Sequence, residues 1–149
     1  MQVPASQIVD ALFTAIAKEQ DAPVVDQAPD DKQTSLTDEQ LLSLSFFFGK
    51  NLERALQIAT TGGVRSIVGE RSGRSMFQVA GHGGEKYTCF PSHFCSCHSF
   101  FYDVVSKGEQ LHCKHQLAAR IADLLHCASI EKISDAELAR MMIQVEHEM

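Results

Sequence analysis

Several classes of protein are excluded by what this chain lacks. No apolar run approaches the roughly 20 residues needed to cross a bilayer as a helix. There is no phosphate-binding glycine loop, no dinucleotide glycine fingerprint and no defensible Ser–His–Asp arrangement, and "GHGG" (81–84) is a lone glycine-rich turn. The chain is therefore expected to have no enzymatic activity of its own. Basic charge is scarce: 13 Lys and Arg face 19 Asp and Glu, a formal net charge of −6. A chain this acidic has no global attraction for a phosphate backbone, so any nucleic-acid contact must come from a local patch or a partner. No internal repeat or low-complexity tract is present. The first twenty residues lack a basic start and carry Asp10, so a signal peptide is not expected and a reducing compartment is.

What is there suffices for a core. Hydrophobic residues make up 44% of 149, enough for one domain with an appended module. In "IVDALFTAIAKEQ", Ile8, Leu12 and Ile16 recur at helical spacing with Val9 and Phe13 beside them, giving an N-terminal amphipathic helix over 1–20. An acidic linker with two prolines and four aspartates follows over 21–36. A helical segment spans 37–63. It opens on the capping-box pattern "TDEQ" at Thr37, breaks at Gly49, and resumes with Leu52, Leu56 and Ala59 on one side. From Val64 the texture changes to short β-prone runs, "VRSIVGE", "RSMFQVAG" and "KYTCF", separated by turns, the pattern of a small antiparallel meander. "HQLAARIADLLHC" returns to a helix with Leu117, Ile121, Leu124 and Leu125 aligned. A second capping box at Ser134 opens a terminal helix lined by Leu138, Met141, Met142 and Val145. The fold class is α+β: a small antiparallel β-meander flanked by N-terminal and C-terminal α-helices. Residues 64–149 form its main unit, with 86–127 at the centre.

Residues 93–117, "HFCSCHSFFYDVVSKGEQLHCKHQL", hold three of the five cysteines and four of the seven histidines. Cys95 and Cys97 are two apart, so on an extended strand both sulfurs face one way. Cys113 and His115 form a second pair where a helix begins, with fifteen residues between the two pairs. Three thiolates and one imidazole make a closed tetrahedral set, which suits structural rather than catalytic zinc. A helix N-terminus also favours the thiolate. Two readings compete. A Cys95–Cys97 disulfide closes a strained ring and suits a reducing compartment poorly. Plain core packing leaves polar groups buried without partners. Zinc is preferred over both, with His112 an alternative to His115. Cys89 and Cys127 read as small buried hydrophobes, His82 as a solvated turn residue, His98 as facing away from Cys97, and His126 and His147 as surface residues.

Cys-x-Cys, a loop, then Cys-x-His opening a helix resembles the SWIM-type zinc finger, here "CSC" (Cys95, Cys97) and "CKH" (Cys113, His115). With "LLSLSFFFG", "RSGRSMFQVAG", "YTCFPSHFCSC" and "LHCKHQLA" around it, the sequence over about 36–147 is similar to the family of small SWIM-domain subunits of the eukaryotic Shu complex. That resemblance implies a Zn2+-binding, non-enzymatic recombination mediator in the nucleus. Such a protein pairs with a RecA-like recombinase paralogue, promotes recombinase filament assembly in homologous-recombination DNA repair, and meets single-stranded DNA through its partner. The apolar "LLSLSFFF" and "SFFYDVV" offer more hydrophobic surface than a small core needs, a candidate partner face, although most of these phenylalanines also suit ordinary core positions. The alternative function is direct single-stranded DNA binding through Arg65, Arg71, Arg74 and Lys86, in the one net-positive segment. Those same residues suit a solvated β-edge, and no aromatic platform accompanies them.

Overall fold

A computed structural model describes residues 5–21, 36–108 and 111–147; the acidic linker expected over 21–36 lies almost wholly outside them. Helices α1 (Ala5–Asp21), α2 (Asp38–Phe48) and α3 (Lys50–Thr60) precede strands β1 (Val64–Gly69), β2 (Ser75–Ala80), β3 (Lys86–Phe90) and β4 (Phe94–Cys95). A π-helical segment (Phe100–Ser106), α4 (Lys114–Leu124), β5 (Ser129–Ile133) and α5 (Asp135–His147) complete the order.

Helix boundaries follow local chemistry. Thr37 Oγ1 accepts the Gln40 N–H and Gln40 Oε1 accepts the Thr37 N–H, so the capping box forms. The Gln40 side chain is buried and also donates to Glu19 Oε2 at 2.7 Å, tying the start of α2 to the end of α1. Gly49 adopts φ 54°, which lets the chain leave α2 and enter α3 after a single residue. At Ser134 the hydroxyl accepts the Glu137 N–H at 3.2 Å, opening α5.

The sheet runs β4-β3-β2-β1-β5. The first four strands form the expected antiparallel meander, but β5 pairs parallel to β1, from Arg65↔Ser129 to Gly69↔Ile133, so the sheet is mixed. "SIEKI" carries no period-2 apolar signal because β5 is an exposed edge strand, and a parallel return to β1 needs a long crossover, here containing α4.

Residues an odd number apart on one strand face opposite ways, and the core divides accordingly. On one face, Val64, Phe77, Val79 and Cys89 join the main core with α1, α2, α3 and α4. On the other, Ile67 and Met76 pack with Leu138, Met141 and Met142 of α5. Helix α4 is buried nearly all round; Leu117, Ala118, Ala119, Ile121 and Ala122 are fully enclosed. Its small residues, with Ala55 and Ala59 on α3, let α3 and α4 approach closely, the most extensive helix–helix packing among the described residues. The N-terminal helix is part of this core: Val9, Phe13 and Ile16 are buried in it.

Candidate metal centre

Strand β3 places Cys89 directly opposite Cys95 on β4. The strand stops at Cys95 rather than continuing through Cys97, so the reading of a single extended strand, with His98 facing away from Cys97 on it, needs correction. Phe100 N–H donates to Cys97 Sγ at 3.3 Å, and the thiol starts the following helical segment. Ser96 keeps the intervening residue beside β3, its N–H donating to Thr88 O at 3.0 Å. Both sulfurs still reach the same space. From the other side, Cys113 is the N-cap of α4. Gln116 N–H donates to Cys113 Sγ at 3.4 Å and Gln116 Oε1 accepts the Cys113 N–H at 3.0 Å, a capping box with a thiol in the usual hydroxyl position. Gln116 also donates to Pro91 O at 3.3 Å, joining α4 to the β3–β4 turn.

These elements bring Cys95, Cys97, Cys113 and His115 together, all buried, with their ligand atoms within 4.8 Å of one another. Sulfurs sharing one zinc ion through ~2.3 Å bonds stand about 3.8 Å apart, so small side-chain rotations close the set around one ion. The His115 ring is 3% exposed and lies against Tyr87 with centroids 4.5 Å apart; among the described residues neither nitrogen has a hydrogen-bond partner outside the cysteine cluster. A buried imidazole without partners is costly; a dication in the cluster removes that cost at one nitrogen. The donor set therefore fits zinc.

The thiols act on one another. Hydrogen bonds from Cys113 and Cys95 draw the Cys97 pKa far below its ordinary value. Cys113 is pushed up by the hydrogen bonds it gives to Cys95 and Cys97 and by burial. A hydrogen bond from Cys113 favours the Cys95 thiolate, yet contacts with Cys89 and Cys97 and burial outweigh it and push Cys95 up. Without a cation, these contacts favour the thiolate at Cys97 over those at Cys95 and Cys113. All five cysteines are free, with no Cys95–Cys97 disulfide.

The neighbouring residues do other things. His112 is buried outside the cluster. Its Nδ1–H donates to Leu111 O at 2.6 Å and its Nε2 accepts from Arg120 Nη1 at 3.3 Å, so both nitrogens are engaged elsewhere. Burial lowers its pKa, consistent with a neutral ring. His93 and His98 are exposed and stack on Phe90 and Tyr102 respectively. His82 is an exposed turn residue and His126 is exposed, while the side chain of His147 lies outside the described residues. Cys89 is fully buried. Cys127 is exposed rather than buried, because α4 ends at Leu124 and the chain has turned outward; its thiol donates to Ala59 O at 3.4 Å.

The structure does not gather the four basic residues into one patch. Arg65 sits at the start of β1, bound to Glu131 of β5 at 2.6 Å, with Lys86 nearby at the start of β3. Arg71 and Arg74 occupy the turn at the far end of the β1–β2 hairpin, ~13 Å along β1 at the usual strand rise. There Asp135 accepts hydrogen bonds from Ser72 and faces Arg74, which together hold its carboxyl below the usual range.

The phenylalanine-rich segments divide. Phe48 and Phe100 are buried in the core, whereas Leu42, Phe46, Phe101, Tyr102 and Val105 are exposed, Phe46 at 83%. Pattern alone could not separate these sets, because both segments are apolar on every side.

No protein-family model matches the chain, and no solved structure matches it. Curated proteins do. Zinc finger SWIM domain-containing protein 7 of Mus musculus is 34% identical over 145 residues, covering 97% of this chain and 88% of that protein. The Homo sapiens protein of the same name is 33% identical over 109 residues, 72% of this chain and 77% of that protein. A Dictyostelium discoideum homologue of that protein is 28% identical over 116 residues, 77% of this chain and 74% of its own length.

Proposed function

The chain belongs to the zinc finger SWIM domain-containing protein 7 family, and on that footing we propose that it is a non-enzymatic zinc-binding adaptor. In this reading Cys95, Cys97, Cys113 and His115 hold one Zn2+, which pins the end of the meander to the start of α4. Metal binding of this kind contributes on the order of 10 kcal/mol to folding, comparable to a small domain's entire stability. The observation that carries the reading is the enclosed Cys3His cluster, whose histidine has no other partner. The ion has a structural role, since four protein ligands leave no position for a reacting water.

The adaptor pairs with a RecA-like recombinase paralogue, promotes recombinase filament assembly during homologous-recombination repair in the nucleus, and meets single-stranded DNA through that partner. The SWIM motif and its flanking segments support this role by resemblance. The exposed Leu42 and Phe46 of α2 and Phe101, Tyr102 and Val105 of the π-helical segment support an apolar docking face. Affinity purification of the tagged protein from cells, with mass spectrometry and a zinc assay, tests it. Recovery of a RecA-like ATPase that is lost in Cys97→Ala is expected. A folded Cys97→Ala protein that retains the partner overturns the role of the metal, and recovery of no such ATPase with the parent chain overturns the adaptor.

A further inference from the structure

A second constellation lies beside the metal cluster and is not used by it. Helix α3 carries Arg54, Gln57, Ile58 and Thr61 at helical spacing along one side of a cleft of about 580 Å3. The β2–β3 turn forms the opposite wall through Gly81 and His82, and Lys114 and His115, at the start of α4, complete it. Among the described residues no carboxylate lines this cleft. Glu85, in the same turn, is folded back so that its carboxylate accepts the Gly83 N–H at 2.9 Å. Among the described residues neither Arg54 nor Lys114 has an ion-pair partner. Both also line a smaller cleft of about 110 Å3, where Asp103 is present, which makes the His82 side the one suited to an anion.

His115 adds an independent observation. One ring nitrogen is consumed when the cluster binds its ion. The other is then an N–H donor, and metal-bound histidines nearly always give that proton to an acceptor. Among the described residues none is offered, both nitrogens are closed off from solvent, and His115 lines this cleft.

We propose that the cleft between α3 and the β2–β3 turn is a binding site for a phosphate group. Arg54 and Lys114 supply the charge, the Gln57 amide supplies a neutral donor, and His115 forms part of the wall. Among the described residues the lining has no Phe, Tyr or Trp face for a base, so the group recognised is the phosphate itself, as a free anion or as a phosphodiester of single-stranded DNA. The proposal does not depend on the adaptor reading, whose test is partner recovery.

The experiment uses the zinc-loaded full chain, titrated with inorganic phosphate and separately with a thymidine oligonucleotide while backbone amide NMR signals are followed. Shifts confined to Thr61, Gly63, Gly81, His82 and Lys114 are expected. A response to phosphate alone identifies a small-anion site, and a response to both identifies a backbone site. If the oligonucleotide binds, Arg54→Gln/Lys114→Gln lowers its affinity at least about tenfold and flattens the slope of log K against log salt by about 1.4, whereas Arg71→Gln/Arg74→Gln leaves both unchanged. The proposal is overturned if those amides respond to neither ligand, or if the Arg54/Lys114 double variant binds as the parent does.

Discussion

The Arg120 guanidinium and the Asp10 carboxylate, 110 positions apart in the chain, meet at 2.8 Å between Nη1 and Oδ1. The same guanidinium lies over the Phe13 ring at 4.4 Å and donates to His112 Nε2, so one side chain of α4 holds the N-terminal helix by charge, by its flat face and through a neighbouring ring. The ion pair is partly exposed and contributes little alone, and the stacked contact adds about 1 kcal/mol. Arg120→Ala should therefore lower stability by about 1–2 kcal/mol and raise amide hydrogen exchange in α1 well above that in α4. Equal loss of protection in both helices would contradict this division.

His112 and His115 separate in a metal assay. His115→Ala should lose zinc and, with it, most of the cooperative unfolding transition, while His115→Cys should retain one zinc per chain because a fourth thiolate completes the same tetrahedral set. His112→Ala should retain zinc and lose about 1–3 kcal/mol through its buried hydrogen bonds and its contact with Phe48. Zinc stoichiometry by mass spectrometry of the native protein, with denaturant unfolding, decides both.

Gln116 closes the cap of α4 while reaching Pro91 O. Gln116→Ala removes the acceptor for the Cys113 N–H and leaves the Pro91 carbonyl without this donor. A stability loss of about 1–2 kcal/mol is expected. Zinc content at saturating metal should be unchanged while the rate of zinc release to a chelator rises, since the ligands remain but one is held less firmly. An unaltered release rate would show that Cys113 is positioned without its cap.

Zinc binding should depend steeply on pH. In the metal-free cluster, hydrogen bonding draws the Cys97 pKa down, while Cys95 and Cys113 are pushed up. Capture of zinc by thiolates then releases the protons that the raised thiols hold, and affinity rises with pH until those thiols ionise. As the pH falls, protons compete and the ion is lost. Calorimetric titration in buffers of different ionisation enthalpy counts the protons, and release near zero would show that the thiols are not held protonated before the metal arrives.

Much of the site could be read from spacing. Cys-x-Cys and Cys-x-His, with an apolar helix starting at the second pair, bring four soft ligands together whatever the precise path of the chain, because a metal site constrains chemistry more tightly than backbone. Thr37 and Ser134 were equally legible, since capping is local. Strand β5 was not. An edge strand whose exposed Ile130 alternates with nothing carries no pattern, and its pairing with β1 comes from a crossover more than fifty residues long.

The three candidate cysteine ligands, the α+β class and the order of most elements thus followed from residue types and short intervals, which act over a few bonds or one helical turn. The rest depended on packing between segments far apart in the chain. The placement of His115 in the cluster and of His112 beside Arg120, the division of the phenylalanines between core and surface, and the separation of Arg65 from Arg71 and Arg74 belong to that second group. Each depends on which face an element turns toward its neighbours, a choice made by the whole core at once.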